Sequence, residues 1–305
     1  MAVVWLNGGF VDAAEARVSV FDAAVQHGVG LFETLLAIHS EPIMLEAHLE
    51  RLARSAVELG LTRQLHTAPL AEAVCAVCRR AGLARARVRV TITGGDLQLR
   101  GAAAGKEHNP TIVITAQEAA AHPATLFERG ALVTIADLRL NPLDPFAGHK
   151  TLFYWPRLRA LQAAAARGAD ETLLLQVTNH LACGAVSNLF VVKDGSLRTP
   201  IAQGEEGQEG AELPSPVLPG VTRAWAIEAA QGLGASTAKR MLSVDDLLEA
   251  DEAFLTNSMW GVLPVTRVEA ETVGDGAVGE LTARLVERWR SDTGDEPAPE
   301  AVRDN

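Results

Sequence analysis

Residues 87–93, RVRVTIT, alternate polar and apolar side chains without a break, which predicts a strand with one face buried and one open. Its neighbours decide what that strand can join. Ahead of it, AHLERLARSAVELGL places Leu49, Leu52, Ala53, Ala56 and Val57 on one helical face that ends at Gly60. A second helix is predicted over 69–81, and after the strand come a Gly-rich loop (TGGDLQLRG) and another strand, PTIVITA. Upstream, VVWLNGGFVDA reads as strand, Asn-Gly-Gly turn, strand, and FETLLAIH as a further strand. Strands interrupted by paired helices predict an α+β unit over 1–116.

Residues 117–130 read as a connector. A larger α/β unit is expected over 131–291, with a disordered tail over 292–305. Its strands are ALVTIADL, ETLLLQV, SNLFVV, SLRTP and the two halves of EAFLTNSMWGVLPV. Its helices are TLFYWPRLRALQAAAARG, VTRAWAIEAAQGLG, a short one capped by Ser243, and a last one over 276–291. The acidic, Gly/Pro-rich stretch 203–216 is expected to be an exposed loop that packs on nothing.

The 305 residues are 48% apolar and 21% charged, which excludes a wholly disordered chain and a disulfide scaffold. No run approaches the ~18 apolar residues of a membrane span, and the N-terminus lacks the basic and apolar regions of a signal peptide. Three cysteines point to a reducing, cytoplasmic setting, and a net charge of −11 argues against a nucleic-acid partner. Cys75 and Cys78 form a CxxC, but no second Cys/His cluster accompanies them. They are expected to be small apolar residues one turn apart on a helix, and no metal site is expected.

The chain has only four lysines, so amine chemistry has few candidates. Lys150 follows a Pro/Gly loop and precedes the apolar run TLFYW. Desolvation there would free its amine to form a Schiff base. The competing reading is a snorkelling lysine at a helix start, where the helix dipole disfavours a cation. Lys106 and Lys193 are expected to be solvated, and Lys239 borders a strand edge. Pro219-Gly220-Val221-Thr222 opens a helix, whose free N–H groups suit a phosphate. Thr256-Asn257-Ser258 ends a buried strand with small polar side chains, and Arg51 offers a counter-charge. GxxxxGK[ST] is absent, as is GxGxxG in a strand-turn-helix context, so neither ATP nor a dinucleotide is indicated.

In order along the chain, FDAAVQHGVGLFETLLA, HLERLARSA, TGGDLQLRG, HKTLFYW, GAVSNLFVVKDG, VLPGVTR and FLTNSMWGVLPV resemble the class IV aminotransferases over residues 3–285. The resemblance implies a two-domain α+β fold of the fold-type IV, D-amino-acid aminotransferase-like kind. It also implies a homodimer, a small-molecule amino substrate, and pyridoxal 5'-phosphate (PLP) held between the domains. It assigns the Schiff-base lysine to Lys150 and the phosphate-binding arginine to Arg51. The backbone phosphate cradle falls on Val221 and Thr222, and a second phosphate hydroxyl on Ser258 beside Asn257. Arg100 matches a position that binds substrate carboxylate, with Asn257 as its companion. Tyr154, the only tyrosine, is either a partner of the cofactor phenolate or a structural residue.

One departure matters. Members of the family carry a glutamate ahead of SNLF that pairs with the cofactor's ring nitrogen, and Cys183 stands there in this chain. Either Glu171 substitutes for it, or the alignment slips, or the chemistry tolerates a neutral ring. A thiol holds no firm negative charge, so the ring would be a weaker electron sink. Elimination tolerates this better than transamination, because its leaving group departs as the proton does. TNSMWGVLPV also resembles the corresponding stretch of 4-amino-4-deoxychorismate lyases. The leading expectation is therefore such a lyase, releasing pyruvate and 4-aminobenzoate, a folate precursor. An aminotransferase for branched-chain or D-amino acids is the alternative, and a non-catalytic protein of this fold the third.

Overall fold

The computed structural model describes residues 2–96, 110–207 and 213–298. It forms two compact units: Met1–Ala120 with His149–Tyr154, and Ala121–Gly148 with Trp155–Asn305.

The first unit is a six-stranded antiparallel sheet flanked by helices. Its strands are β1 (Val3–Leu6), β2 (Gly9–Val11), β3 (Gly30–Ile38), β4 (Glu41–Pro42), β5 (Arg85–Thr93) and β6 (Ile112–Glu118), in spatial order β2-β1-β6-β5-β3-β4. The first hairpin turns at Asn7 and Gly8, both at positive φ, as the Asn-Gly-Gly sequence predicts. The alternation of β5 is realised: Val88, Val90 and Ile92 are fully buried, Arg87 is exposed and Arg89 half-buried. Helices α2 (Leu45–Glu58) and α3 (Thr67–Ala81) cover the apolar face. Leu49, Leu52 and Ala56 of α2 enter that core at i, i+3 and i+7, each leucine contributing ~1.5–3 kcal/mol by burial. Val57 lies on the flank of the stripe and stays exposed. Cys75 and Cys78 line α3 as packing residues, and burial pushes the Cys78 thiol up to about 11. The segment FDAA forms a short helix, α1 (Ala23–His27), capped by Asp22. The Asp22 carboxylate also accepts the hydroxyls of Thr93 and Thr111.

The second unit holds a nine-stranded mixed sheet. Its strands are β7 (Ala131–Leu140), β8 (Glu171–Gln176), β9 (Leu181–Gly184), β10 (Asn188–Lys193), β11 (Ser196–Thr199), β12 (Ser236–Lys239), β13 (Glu252–Asn257), β14 (Gly261–Val268) and β15 (Glu271–Thr272). The order is β12-β11-β10-β13-β14-β7-β8-β9, with β15 paired to β14. Its helices are α4 (Ala124–Arg129), α5 (Trp155–Ala166), α6 (Val221–Gly232), α7 (Val244–Leu248) and α8 (Glu280–Thr293). Ser243 caps α7 through a reciprocal capping box with Asp246. Phe190 and Phe254 stack at 4.7 Å beneath α6 and α8.

Four expectations need correction. The stretch read as a connector carries the last residues of β6 and all of α4. The run TLFYW does not begin a helix: Phe32 N–H donates to Lys150 O at 3.0 Å and Leu152 N–H to Gly30 O at 2.9 Å, so these residues belong with β3. Helix α5 starts only at Trp155, with Pro156 in its first turn, where no intrahelical N–H bond is needed. The acidic loop is anchored on both sides. Glu205 pairs with Arg223 and Lys239, and its carboxyl is held at about 2 by those cations against the opposing effect of burial. Ser215 bonds to Ile201 O and to Glu206, while residues 208–212 lie outside the described set. Finally, α8 runs to Thr293, Asp295 is buried, and Ala298 exchanges backbone bonds with His122 and Ala124. Only 299–305 of the expected tail lie outside the described residues.

Candidate active site

In the first unit, one face of α2 organises the polar core. Strand β3 carries Glu33, a single acid in an apolar strand and only 1% exposed. Arg51 grips its carboxylate with both ends, Nε to Oε1 at 2.8 Å and Nη2 to Oε2 at 2.6 Å. His48 Nδ1 lies 2.9 Å from Oε2. Burial alone would raise the Glu33 carboxyl, but the Arg51 charge and these hydrogen bonds bring it down to about 2. Burial pushes the His48 imidazole below its ordinary value. Further along α2 from Arg51, Ser55 and Glu58 face His149, whose Nδ1 is 2.9 Å from Ser55 Oγ. His149 thereby fixes the backbone beside Lys150.

Lys150 itself is half-buried. Its Nζ lies 4.5 Å from the centre of the Phe32 ring and 5.3 Å from that of Tyr154, and the two rings meet edge to face at 5.4 Å. The amine is therefore set against aromatic surface by the strand-like pairing of 150–152 with β3. A helix start plays no part in this placement. Arg89, from the open face of β5, stacks on the same Phe32 ring at 3.8 Å. Burial, and then the like charge of Arg87, bring its guanidinium down to about 10. A cation so placed favours an anionic group beside the ring.

In the second unit, Glu171 at the start of β8 is fully buried. Its carboxylate accepts from Thr172 N–H (2.9 Å), Ala185 N–H (3.2 Å), Val186 N–H (3.2 Å) and Ser187 Oγ–H (3.0 Å). Burial raises its pKa and these bonds oppose the rise. These bonds commit the Glu171 carboxylate to holding the turn after β9. Gly184 is required in that turn, because a Cβ would run into Ser187 Oγ. Cys183, one residue earlier, is buried, with Arg157 Nη1 3.4 Å from its Sγ.

The same turn leads to Asn188, whose Nδ2–H donates to Leu218 O at 2.9 Å. A Cβ at Gly220 would strike Asn188 Oδ1. Gly220 opens α6 with no side-chain cap, leaving the first-turn N–H groups of Val221 and Thr222 without an intrahelical acceptor. Thr222 Oγ1 there and Thr256 Oγ1 on β13 are buried hydroxyls with no hydrogen-bond partner, and α6 packs on β13. Asn257 is already engaged: its Oδ1 accepts from Met259 N–H and Trp260 N–H, and its Nδ2 reaches Val186 O at 3.4 Å. It shapes the turn that carries Ser258.

The structure thus sets Lys150, Tyr154 and Arg51 in the first unit, and Cys183, Val221, Thr222, Asn257 and Ser258 in the second. Arg100 lies outside the described residues. Glu33, His48, Arg89 and Arg157 stand beside these and were not assigned by sequence reasoning, whereas Thr256 was named there with Asn257 and Ser258. A lone acid inside FETLL and an arginine on the open face of an alternating strand were the available signals for Glu33 and Arg89. No group of three or more His, Cys, Asp or Glu among the described residues is arranged to hold a metal. No described helix is long and apolar enough to cross a membrane.

Amino-transferase class IV, as a family, matches residues 30–268, and the chain belongs to it. It is 31% identical over 94% of its length to a putative branched-chain-amino-acid aminotransferase of Methanocaldococcus jannaschii, covering 95% of that protein. It is 26% identical to the aminodeoxychorismate lyase of Bacillus subtilis, over 93% of this chain and 92% of the other. Among solved structures, the T.th. branched-chain amino acid aminotransferase with pyridoxamine 5'-phosphate superposes with a TM-score of 0.84 at 28% identity, over 97% of this chain and 95% of the other. The 4-amino-4-deoxychorismate lyase of Pseudomonas aeruginosa superposes with a TM-score of 0.81 at 32% identity, over 95% and 98%.

A class IV enzyme works with PLP, and the residues present fit it. Two orphaned buried hydroxyls beside an uncapped helix N-terminus suit the phosphate, and a lysine amine against aromatic rings suits the aldehyde.

Proposed function

We propose that this enzyme is a PLP-dependent lyase of the 4-amino-4-deoxychorismate type. The observation that supports this reading is the thiol of Cys183, with Glu171 engaged by the neighbouring turn, at the position where the resemblance places a carboxylate that would strengthen the ring as an electron sink. When bound, PLP would supply an electrophilic aldehyde carbon for the substrate amine and an electron-withdrawing ring. Lys150 Nζ takes the proton from the carbon that bears the substrate amine. The neighbouring C–O bond then breaks, and the enolpyruvate leaves with the electron pair and is protonated to pyruvate. The six-membered ring is left aromatic as 4-aminobenzoate, which drives the reaction forward. Arg89 and, by the resemblance, Arg100 attract the substrate's carboxylates, and Phe32 and Tyr154 keep water from the amine.

A second reading, a branched-chain aminotransferase, is favoured by likeness to proteins of that name, the one from Escherichia coli at 29% identity among them. One assay separates the two. Purified enzyme receives aminodeoxychorismate alone and, in a separate reaction, L-leucine with 2-oxoglutarate. Pyruvate released without any amino acceptor is the expected result. Glutamate formed from leucine, with no pyruvate from aminodeoxychorismate, replaces the lyase reading by the second.

A further inference from the structure

Arg157, in the first turn of α5, does more than fill space. Its Nη1 lies 3.4 Å from Cys183 Sγ, 3.3 Å from Gly184 O and 3.4 Å from Ala185 O. Those carbonyls belong to the turn that Glu171 clamps from below. The turn in turn touches the phosphate cradle twice, through Asn188 at Gly220 and through Val186 O at Asn257. We infer that Arg157, together with Cys183, faces the ring nitrogen of bound PLP and keeps that nitrogen unprotonated.

The chemistry is one of matching donors to acceptors. A neutral pyridine nitrogen only accepts a hydrogen bond, whereas a protonated one only donates and carries positive charge. A guanidinium is always charged and only donates, and a thiol is a weak donor. The guanidinium can only donate, and the Cys183 sulfur, a weak acceptor, already takes a bond from Arg157, so the pair suits the neutral ring better than the protonated one. Cys183 also packs in a buried apolar cluster with Leu174, Ala182, Ala202 and Val217. Glu171, the buried acid on the neighbouring strand β8, accepts four hydrogen bonds, three of them from the turn itself. The arrangement reverses the sign of the charge that the resemblance leads one to expect at this spot. It disfavours reactions that must hold negative charge on the ring and favours those in which a leaving group carries the charge away. The inference rests on the PLP reading, and it holds for either choice of substrate.

The test loads the whole enzyme with PLP labelled with nitrogen-15 in the ring and reads the nitrogen resonance near neutral pH. The expected resonance is that of an unprotonated pyridine, with no one-bond coupling to hydrogen. A pyridinium resonance overturns the inference and leaves the PLP reading intact. If the bound-cofactor absorbance band is missing, the PLP reading fails and the inference falls with it. A second measurement isolates the role of Arg157. Affinities for PLP and for its ring-N-methylated analogue, a permanent cation, are compared in wild type and in Arg157→Gln. The methyl group is common to both proteins, so their difference reports charge. Removing the guanidinium should improve the relative affinity for the cationic analogue by about 10-fold. An unchanged ratio in a variant with wild-type melting overturns the assignment to Arg157.

Discussion

Replacing Glu33 by Gln removes the carboxylate that grips both ends of the buried Arg51 guanidinium. Arg51 is 6% exposed and loses both carboxylate contacts. Breaking a buried ion pair in this way costs ~3–5 kcal/mol. The shift of the Glu33 carboxyl from 4.5 to about 2 corresponds to ~3 kcal/mol, which agrees with that range. At about 2 °C per kcal/mol for a chain of this length, the melting temperature should fall by roughly 6–10 °C. The pH profile gives an independent check. A carboxyl with a depressed native pKa stabilises the fold above its unfolded value, and that stability drains away as the pH falls from about 4.5 towards 2. The Gln variant should lack this slope. If Arg51 holds the cofactor phosphate, a bound phosphate restores an anion to it, so PLP should raise the melting point of the variant more than that of wild type. Scanning calorimetry with and without PLP reads all three quantities. A variant that melts within about 1 °C of wild type would refute the account of this core.

Three further outcomes follow from the same geometry. Thr222→Val or Thr256→Val removes a buried hydroxyl that has no partner, so each apo variant should gain up to ~1 kcal/mol while PLP binds roughly 10-fold more weakly by equilibrium titration. Arg89→Leu should raise KM for a carboxylated substrate by about 10- to 100-fold, with little change in melting, because the side chain stacks on Phe32 and pairs with no acid among the described residues. His48 and His149 are both held below their ordinary pKa by burial, so the unfolded chain binds protons first. Stability should therefore decline as the pH drops below about 6.5, and a melting series from pH 8 to 5 measures it.

Local signals in the sequence carried much of the fold, because they are local physics. The alternation of 87–93, the Asn-Gly turn at the first hairpin and the Ser243 cap each act over a few residues, and each appears as read. The errors arose where partners distant in the chain decide. Residues 150–152 join β3, more than a hundred positions away, which no periodicity in TLFYW discloses. The acidic loop is fixed by Arg223 and Lys239, which lie on other elements. The candidate site shows the same division. Lys150 and the helix start at Val221 stood out from composition and turn chemistry. Glu33 with His48, and Arg157 with Cys183, are pairs across elements, so only the three-dimensional structure brings them together. Glu171 was legible as an acid near the right place, but its commitment to the backbone of 185–187 was not.

The central claim is that Lys150, held against Phe32 and Tyr154, is the amine that captures the cofactor aldehyde. Borohydride reduction of the PLP-loaded protein, followed by peptide mass mapping, tests it directly. The account predicts one stable phosphopyridoxyl adduct, on the peptide that contains Lys150, and none in Lys150→Ala. An adduct on Lys193 or Lys239 instead, or no adduct in a protein that has bound PLP, would contradict it.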